Sequence, residues 1–303
     1  QAAWTAHQGR PVYVDRDGLG YLRTTCSMLL GDADWDLPHI DLMLFVLREV
    51  LRLSGQVFVE ALPPVEGRPA DCLLCWGGDE EGAKGTAAWA SNWMAGRGLP
   101  YHVNVMPDAQ GTFACTPQEA DDIRARGHEV SLHLNLMDGR KHPSGFTQED
   151  IGQQVESFVR HFGFVPNTVV FHWVRWYGWT EPAQWLAELG VRGDNSKHNV
   201  PAFKLNPTNT LGYAFGTSFP YHAWTDWHSG NCRLDFVFQP ITAYECGYDR
   251  ETDTTDFAAL HQALRQARQW GLTTELFYHS VNLTWYPSCR RAVEEVQRWL
   301  AEE

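Results

Sequence analysis

Short apolar runs alternate with capped amphipathic helices along most of this chain, and that alternation constrains the fold more than any other feature. The run Cys72, Leu73, Leu74, Cys75, Trp76 precedes a helical segment over 83–95, in which Trp89 and Trp93 stand one turn apart before Gly96. A strand is expected at 101–105. Thr116-Pro117-Gln118-Glu119 is a capping box with proline at the first helical position, and Gly127 closes that helix ahead of a strand at 129–134. Thr147 and Asp150 open a third helix with the stripe Ile151, Val155, Phe158, Val159 and Phe162, stopped by Gly163 before a strand at 168–173. Thr180 and Pro182 start a fourth, ended by Gly190 ahead of a short strand carrying Asp194. Strands separated by helices pair in parallel, so the pattern implies a parallel α/β sheet, open or barrelled.

The alternation lapses over 196–254, a Trp-rich excursion with strands expected near 213–216 and 234–239. It returns with Phe257, Leu260, Leu264 and Ala267 on a helix, a strand at 273–279, and a last amphipathic helix through Val293, Val296 and Leu300. Leu42, Phe45, Val46, Val50 and Leu53 mark a helix in the first segment, and Pro63-Pro64 with Gly67 to Pro69 form a linker. Residues 1–67 are therefore expected to be an N-terminal extension packing on a domain at 68–303.

Composition excludes several classes of function. Lys and Arg number 24 against 37 Asp and Glu, a net charge of −13, which disfavours nucleic-acid binding by phosphate neutralisation. No run of ~18 apolar residues spans a bilayer. The chain starts at Gln1 with no basic and apolar leader, and seven scattered cysteines, an odd number, argue for reduced thiols and lean towards a cytoplasmic setting. Cys72 and Cys75 read as core residues of a strand, and Asn282-Leu283-Thr284 as a coincidental glycosylation sequon.

The chemistry starts at CWGGDEEG, residues 75–82, where an apolar strand breaks at Gly77-Gly78 into Asp79, Glu80 and Glu81. Clustered carboxylates need a cation or buried donors. His133 ends the strand at 129–134, His142 lies in the following loop, and His279 ends the last strand. In a parallel sheet these edges share one face with Asp79 and Glu80, giving carboxylate and imidazole ligands suited to zinc or a similar divalent ion.

In order and spacing these motifs resemble the polysaccharide deacetylase superfamily (NodB-homology, carbohydrate esterase family four) over residues 70–300. The resemblance implies a distorted (β/α) barrel with a divalent metal, zinc being the one expected, and removal of acetyl groups from an N- or O-acetylated glycan. By position Asp79 matches the family's general base and Glu80 its metal-binding acid, with Glu in place of the usual Asp. GHEVSLH matches the start of the His-x-x-x-His motif, making His133 the first imidazole ligand. Met137 stands where the second is expected, so His142, of His142-Pro143, or His128 takes that part. FHWVRWYGW resembles the Arg and Pro-Tyr-Gly motif without its prolines: Arg175 is the arginine, Tyr177-Gly178 agree, and His172 enters the site as a substrate contact. Asp194 falls where the family places an aspartate near the base, and Tyr278-His279-Ser280 resembles the motif whose His is the general acid.

Metal held by Glu80, His133 and His142 would activate water and polarise an acetyl carbonyl. Asp79 would accept the proton, His279 would protonate the leaving group, and Asp194 or Arg175 would orient partners. Among 14 tryptophans, Trp176, Trp224 and Trp227 are expected as sugar platforms beside Tyr177, whereas Trp173 fits a core role equally well. Two alternatives stand beside the deacetylase reading. One is a catalytically inactive glycan- or protein-binding barrel; the other is a glycosidic or other amide hydrolase that uses the acidic cluster.

Overall fold

A computed structural model of the protein describes residues 36–57, 62–137, 146–178, 180–198 and 208–302, the Trp227 side chain excepted. The architecture is α/β. Its strands are β1 (Leu73–Asp79), β2 (His102–Val105), β3 (Glu129–Leu134), β4 (Thr168–Phe171), β5 (Gly193–His198), β6 (Thr210–Leu211), β7 (Tyr221–Trp224), β8 (Arg233–Ile241), β9 (Ala243–Tyr244) and β12 (Thr273–Phe277). A separate hairpin joins β10 (Gly247–Asp249) to β11 (Thr254–Asp256). The sheet order is β6-β9-β12-β1-β2-β3-β4-β5-β8-β7. From β9 to β8 every pairing is parallel, while β6 and β7 add antiparallel margins.

The sheet is an open, curled half-barrel, where the resemblance implied a distorted (β/α) barrel. Curling brings opposite flanks together: Asn195 on β5 donates to Glu275 on β12 at 2.9 Å, with four strands between them in the sheet. The stretch 233–244 pairs with β5 through β8 and with β12 through β9. Between the two, the Thr242 hydroxyl accepts the Glu275 N–H at 2.9 Å and donates to the Glu275 carbonyl at 3.1 Å. A side chain there does what a neighbouring strand's backbone would do, and Pro240 withholds one ladder donor.

Helices cover the outer face: α1 (His39–Leu53), α2 (Thr86–Ala95), α3 (Pro117–Ala125), α4 (Gln148–Phe162), α5 (Glu181–Glu188), α6 (Ala258–Trp270), α7 (Ser280–Trp285) and α8 (Pro287–Glu302). Both expected capping boxes form, Thr116 with Glu119 and Thr147 with Asp150. Ala90 and Met94 of α2, Ile123 of α3, and Ile151, Val155 and Phe158 of α4 join Val103, Val105, Leu132 and Val169 in the apolar core. Helix α1 is tied on by buried Asp41, which accepts from Thr217 Oγ1 at 2.6 Å and from Ser218 N at 2.8 Å.

Local differences from expectation are concentrated near strand ends. β1 runs through Gly77-Gly78 to Asp79. β4 stops at Phe171, after which a single 3-10 turn carries Trp173 at φ 58°. Residues 214–216 form another 3-10 turn, and α7 starts directly after His279, where no helix was expected. The six described cysteines are free thiols: Cys72, Cys75, Cys115, Cys232, Cys246 and Cys289.

Candidate metal and acid–base site

Strand geometry sorts the three acids at the end of β1. Side chains alternate between faces, so Asp79 and Glu80 leave the strand in opposite directions. Glu80 is fully buried, and its Oε2 accepts from Gly82 N at 2.9 Å and Met106 N at 3.3 Å. Burial raises its pKa to about 7. Glu81 has left-handed backbone, φ 58°, and returns its carboxylate to the side of Asp79. Glu81 Oε1 lies 3.3 Å from His279 Nε2, and Oε2 lies 3.3 Å from His172 Nε2.

Gly78 sets the approach of the two strands that meet here. A Cβ on it would stand 1.7 Å from the Tyr278 carbonyl oxygen, so no larger residue permits this contact. Tyr278 N donates to Gly77 O at 2.7 Å, which places His279 beside Asp79. Asp79 Oδ1 accepts from Asn104 Nδ2 at 2.8 Å. Its Oδ2 faces His279 Nε2 at 3.6 Å and His133 Nε2 at 3.7 Å. Burial raises the Asp79 pKa to about 7, with the His279 charge pulling it down and the Glu81 charge pushing it up.

The imidazoles differ in state. His133, on β3, is 1% exposed, and neither ring nitrogen has a hydrogen-bond partner among the described residues. Burial drops its pKa to about 3, so it is neutral and offers a lone pair. His172 follows β4, lies edge-on to His133 with ring centroids 4.9 Å apart, and sets Nδ1 3.4 Å from Asn135 Oδ1. His279 donates both its backbone N–H, at 2.7 Å, and Nδ1, at 2.5 Å, to Glu245 Oε1. Asn282 Nδ2 donates to the same oxygen at 3.1 Å, and the Tyr248 hydroxyl donates to Glu245 Oε2. Burial opposes charge on His279, but the Tyr244 oxygen and the Glu245 and Glu81 carboxylates outweigh it and hold its pKa well above the usual imidazole range. Burial likewise pushes the Glu81 carboxyl up, but the facing His172, His279 and His133 rings outweigh it and hold it well below the usual range.

Two ligand sets result. Glu81, His133 and His172 offer donor atoms within 4.8 Å of one another, and so do Asp79, Glu81 and His279. A buried imidazole with no hydrogen-bond partner among the described residues on either nitrogen, in the first set, fits a divalent cation by donor chemistry.

Comparison with solved structures finds three similar chains. One from Mycobacterium smegmatis, assigned as a polysaccharide deacetylase, has a TM-score of 0.51 at 15% identity and covers 80% of this chain and 88% of its own. That likeness shows the fold. A family 4 carbohydrate esterase from Streptomyces lividans in complex with acetate has a TM-score of 0.42 at 12% identity, covering 76% of this chain and 88% of its own. A T48 deacetylase with substrate has a TM-score of 0.39 at 13% identity, covering 76% and 84%. No protein-family model and no curated protein matches the sequence.

The remaining sequence-predicted residues fall in several places. His142 lies outside the described residues, as does the Trp227 side chain. His128 precedes β3, at the opposite strand edge from His133, and its Nδ1 accepts from Tyr101 N at 3.0 Å. Arg175 is buried and donates to the Leu136 carbonyl oxygen. Asp194 starts β5 and engages Lys197 Nζ at 3.3 Å and Ser196 Oγ at 2.5 Å. Trp176 is 1% exposed with Lys197 Nζ 3.1 Å from its ring centre, so its expected role as an exposed sugar platform is corrected to core packing. Tyr177 and Trp224 are half exposed.

Glu81 was read only as part of the acidic cluster, Asn104 and Glu245 were not singled out by sequence, and His172 was assigned to substrate. The acidic run after β1 was the only sequence signal for Glu81, whose return to the Asp79 side depends on left-handed backbone, φ 58°. Glu245 had none, because its position depends on a left-handed residue, φ 49°, after β9.

Proposed function

We propose that this protein is a metal-dependent hydrolase that removes acetyl groups from an N- or O-acetylated carbohydrate. The observation that carries the reading is buried His133, both nitrogens lacking a hydrogen-bond partner among the described residues, set against Glu81 and His172 at the rim of a deacetylase-like fold. The reading places the cation on Glu81, His133 and His172, in place of Glu80 and His142. Bound there, a zinc-like ion supplies Lewis acidity that lowers the pKa of water and polarises the acetyl carbonyl.

The chain's own groups divide the proton work. Asp79 Oδ1 is held by Asn104, so Oδ2 is the oxygen that takes the proton from attacking water. A carboxylate raised by burial to about 7 suits a base near neutral pH. His279 Nε2 hands its proton to the departing nitrogen or oxygen, while Nδ1 stays bound to Glu245. Water thus adds across the acyl bond, giving acetate and a free amine or hydroxyl. Arg175 acts as a positioning residue through Leu136, next to Asn135, which contacts His172. Asp194, with Lys197, anchors β5, and exposed Tyr177 and Trp224 offer faces for sugar rings.

The test pairs elemental analysis with acetate release from chitooligosaccharides, peptidoglycan and acetylated xylan. The account expects about one tightly held divalent ion per chain and release that chelation and His133→Ala abolish. Metal-loaded protein that binds glycan but releases no acetate from any of these substrates would contradict it.

A further inference from the structure

Glu81 does not belong to one ligand set alone. Its Oε2 faces His172 and its Oε1 faces His279, each 3.3 Å from an Nε2. Hydrogen bonds of that type are usually nearer ~2.7–2.9 Å when charge-assisted, whereas two donors bound tetrahedrally at ~2.0–2.1 Å stand about 3.3 Å apart. The Asp79 Oδ2 to His279 Nε2 spacing, 3.6 Å, is similarly long for a hydrogen bond.

The supports around this second set point the same way. Glu245 takes the Nδ1 proton of His279 and fixes the ring so that Nε2 is the atom turned to Asp79 and Glu81. A carboxylate behind an imidazole is the usual backing of a metal-bound histidine. Asn104 does the corresponding service for Asp79 by occupying Oδ1. The buried His133 Nε2, without a hydrogen-bond partner among the described residues, also faces the cluster, 3.7 Å from Asp79 Oδ2.

We propose that Asp79, Glu81 and His279 bind a second divalent cation, bridged through Glu81 to the one on His133 and His172, and that this second cation inhibits the enzyme. The inference rests on the deacetylase reading for the word "inhibits" and on geometry for the site. Binding exchanges the Nε2 proton of His279 for the cation and commits Asp79 Oδ2, so the base and the acid are silenced together. The second site is the weaker, because its cation displaces a proton and shares Glu81 with a like-charged neighbour.

Zinc is titrated into metal-stripped full-length protein, with bound metal and acetate release read on the same samples. Wild type is expected to take up two equivalents in resolved steps, with activity rising through the first and falling at least tenfold through the second. His279→Ala is expected to bind one equivalent with the affinity of the first step, and Glu245→Gln to weaken only the second step. Since Glu245→Gln keeps the shape of the buried side chain, it guards against a folding defect in the alanine variant; circular dichroism checks both. Saturation of wild type at one equivalent overturns the proposal, as does a second step that persists unchanged in both variants or activity that holds steady through it. Two steps in wild type with the second lost in His279→Ala as expected, but without acetate release from any glycan at any loading, would keep the second site and remove the deacetylase reading.

Discussion

On the helix-covered face of the sheet, Val103, Val105, Val130, Leu132, Leu134 and Val169 are 2% exposed or less and belong to one apolar cluster. The inner face of the same strands carries His102, Asn104, Ser131, His133 and Thr168, with Asn195 and Glu275 facing each other across the curl. Polar contacts run along it: Ser131 Oγ to Thr168 Oγ1 at 2.9 Å, Thr168 Oγ1 to His102 Nε2 at 3.2 Å, Asn104 to Asp79. One face supplies hydrophobic stabilisation; the other desolvates polar groups, which costs stability and displaces pKa values. The same strand residues, one position apart, therefore answer to different demands. Substitutions on the inner face should damage chemistry, and those on the outer face should damage folding.

The largest expected effect is on chemistry. Asp79→Asn should lower kcat about 10²–10⁴-fold with metal retained and unfolding free energy undiminished, measured by steady-state acetate release and urea titration. Leu132→Ala, on the other face of β3 from His133, should lose about 2–5 kcal/mol of stability in the same titration while the folded fraction keeps its kcat. A result in which the two variants exchanged phenotypes would break the division of faces. Asn104→Leu should reduce kcat about 10–100-fold with little change in KM, because Asp79 loses its orienting donor.

The smallest effect is a pH slope. Glu275 is buried and its pKa is raised from 4.5 to about 8 by desolvation, with Asn195 pulling it down and the Asp79 charge pushing it up. Between about pH 4.5 and 8 the folded chain holds a proton there that the unfolded chain has released, so this contribution to stability falls as pH rises and levels off above about 8. Glu275→Gln should flatten that part of the profile in thermal melts recorded across the range.

Much of the fold was legible because it depends on local chemistry. The capping boxes at Thr116 and Thr147, the glycine stops and the apolar stripe of α4 all report on their own neighbourhoods, and each forms as read. The curl was less legible, since it turns on Thr242 replacing a ladder bond and on a contact between Asn195 and Glu275, 80 residues apart. The site divides likewise. Asp79, His133 and His279 stand at parallel strand ends and converge within hydrogen-bond or ion-pair range. Glu81 and Glu245 enter through left-handed residues, which sequence signals poorly outside glycine and asparagine. His172 reaches the cluster because β4 ends two residues sooner than its apolar pattern implies.

Adjacent glutamates offer the sharpest test. Glu80 and Glu81 are neighbours turned to opposite sides of the chain, so isosteric Glu80→Gln and Glu81→Gln should behave unlike each other when bound zinc is measured by equilibrium dialysis. The account predicts that Glu80→Gln keeps the tight equivalent with near-normal affinity, since the amide oxygen can still accept from Gly82 and Met106, whereas Glu81→Gln weakens it about 10-fold or more. Tight zinc retained in Glu81→Gln and lost in Glu80→Gln would contradict the site described here.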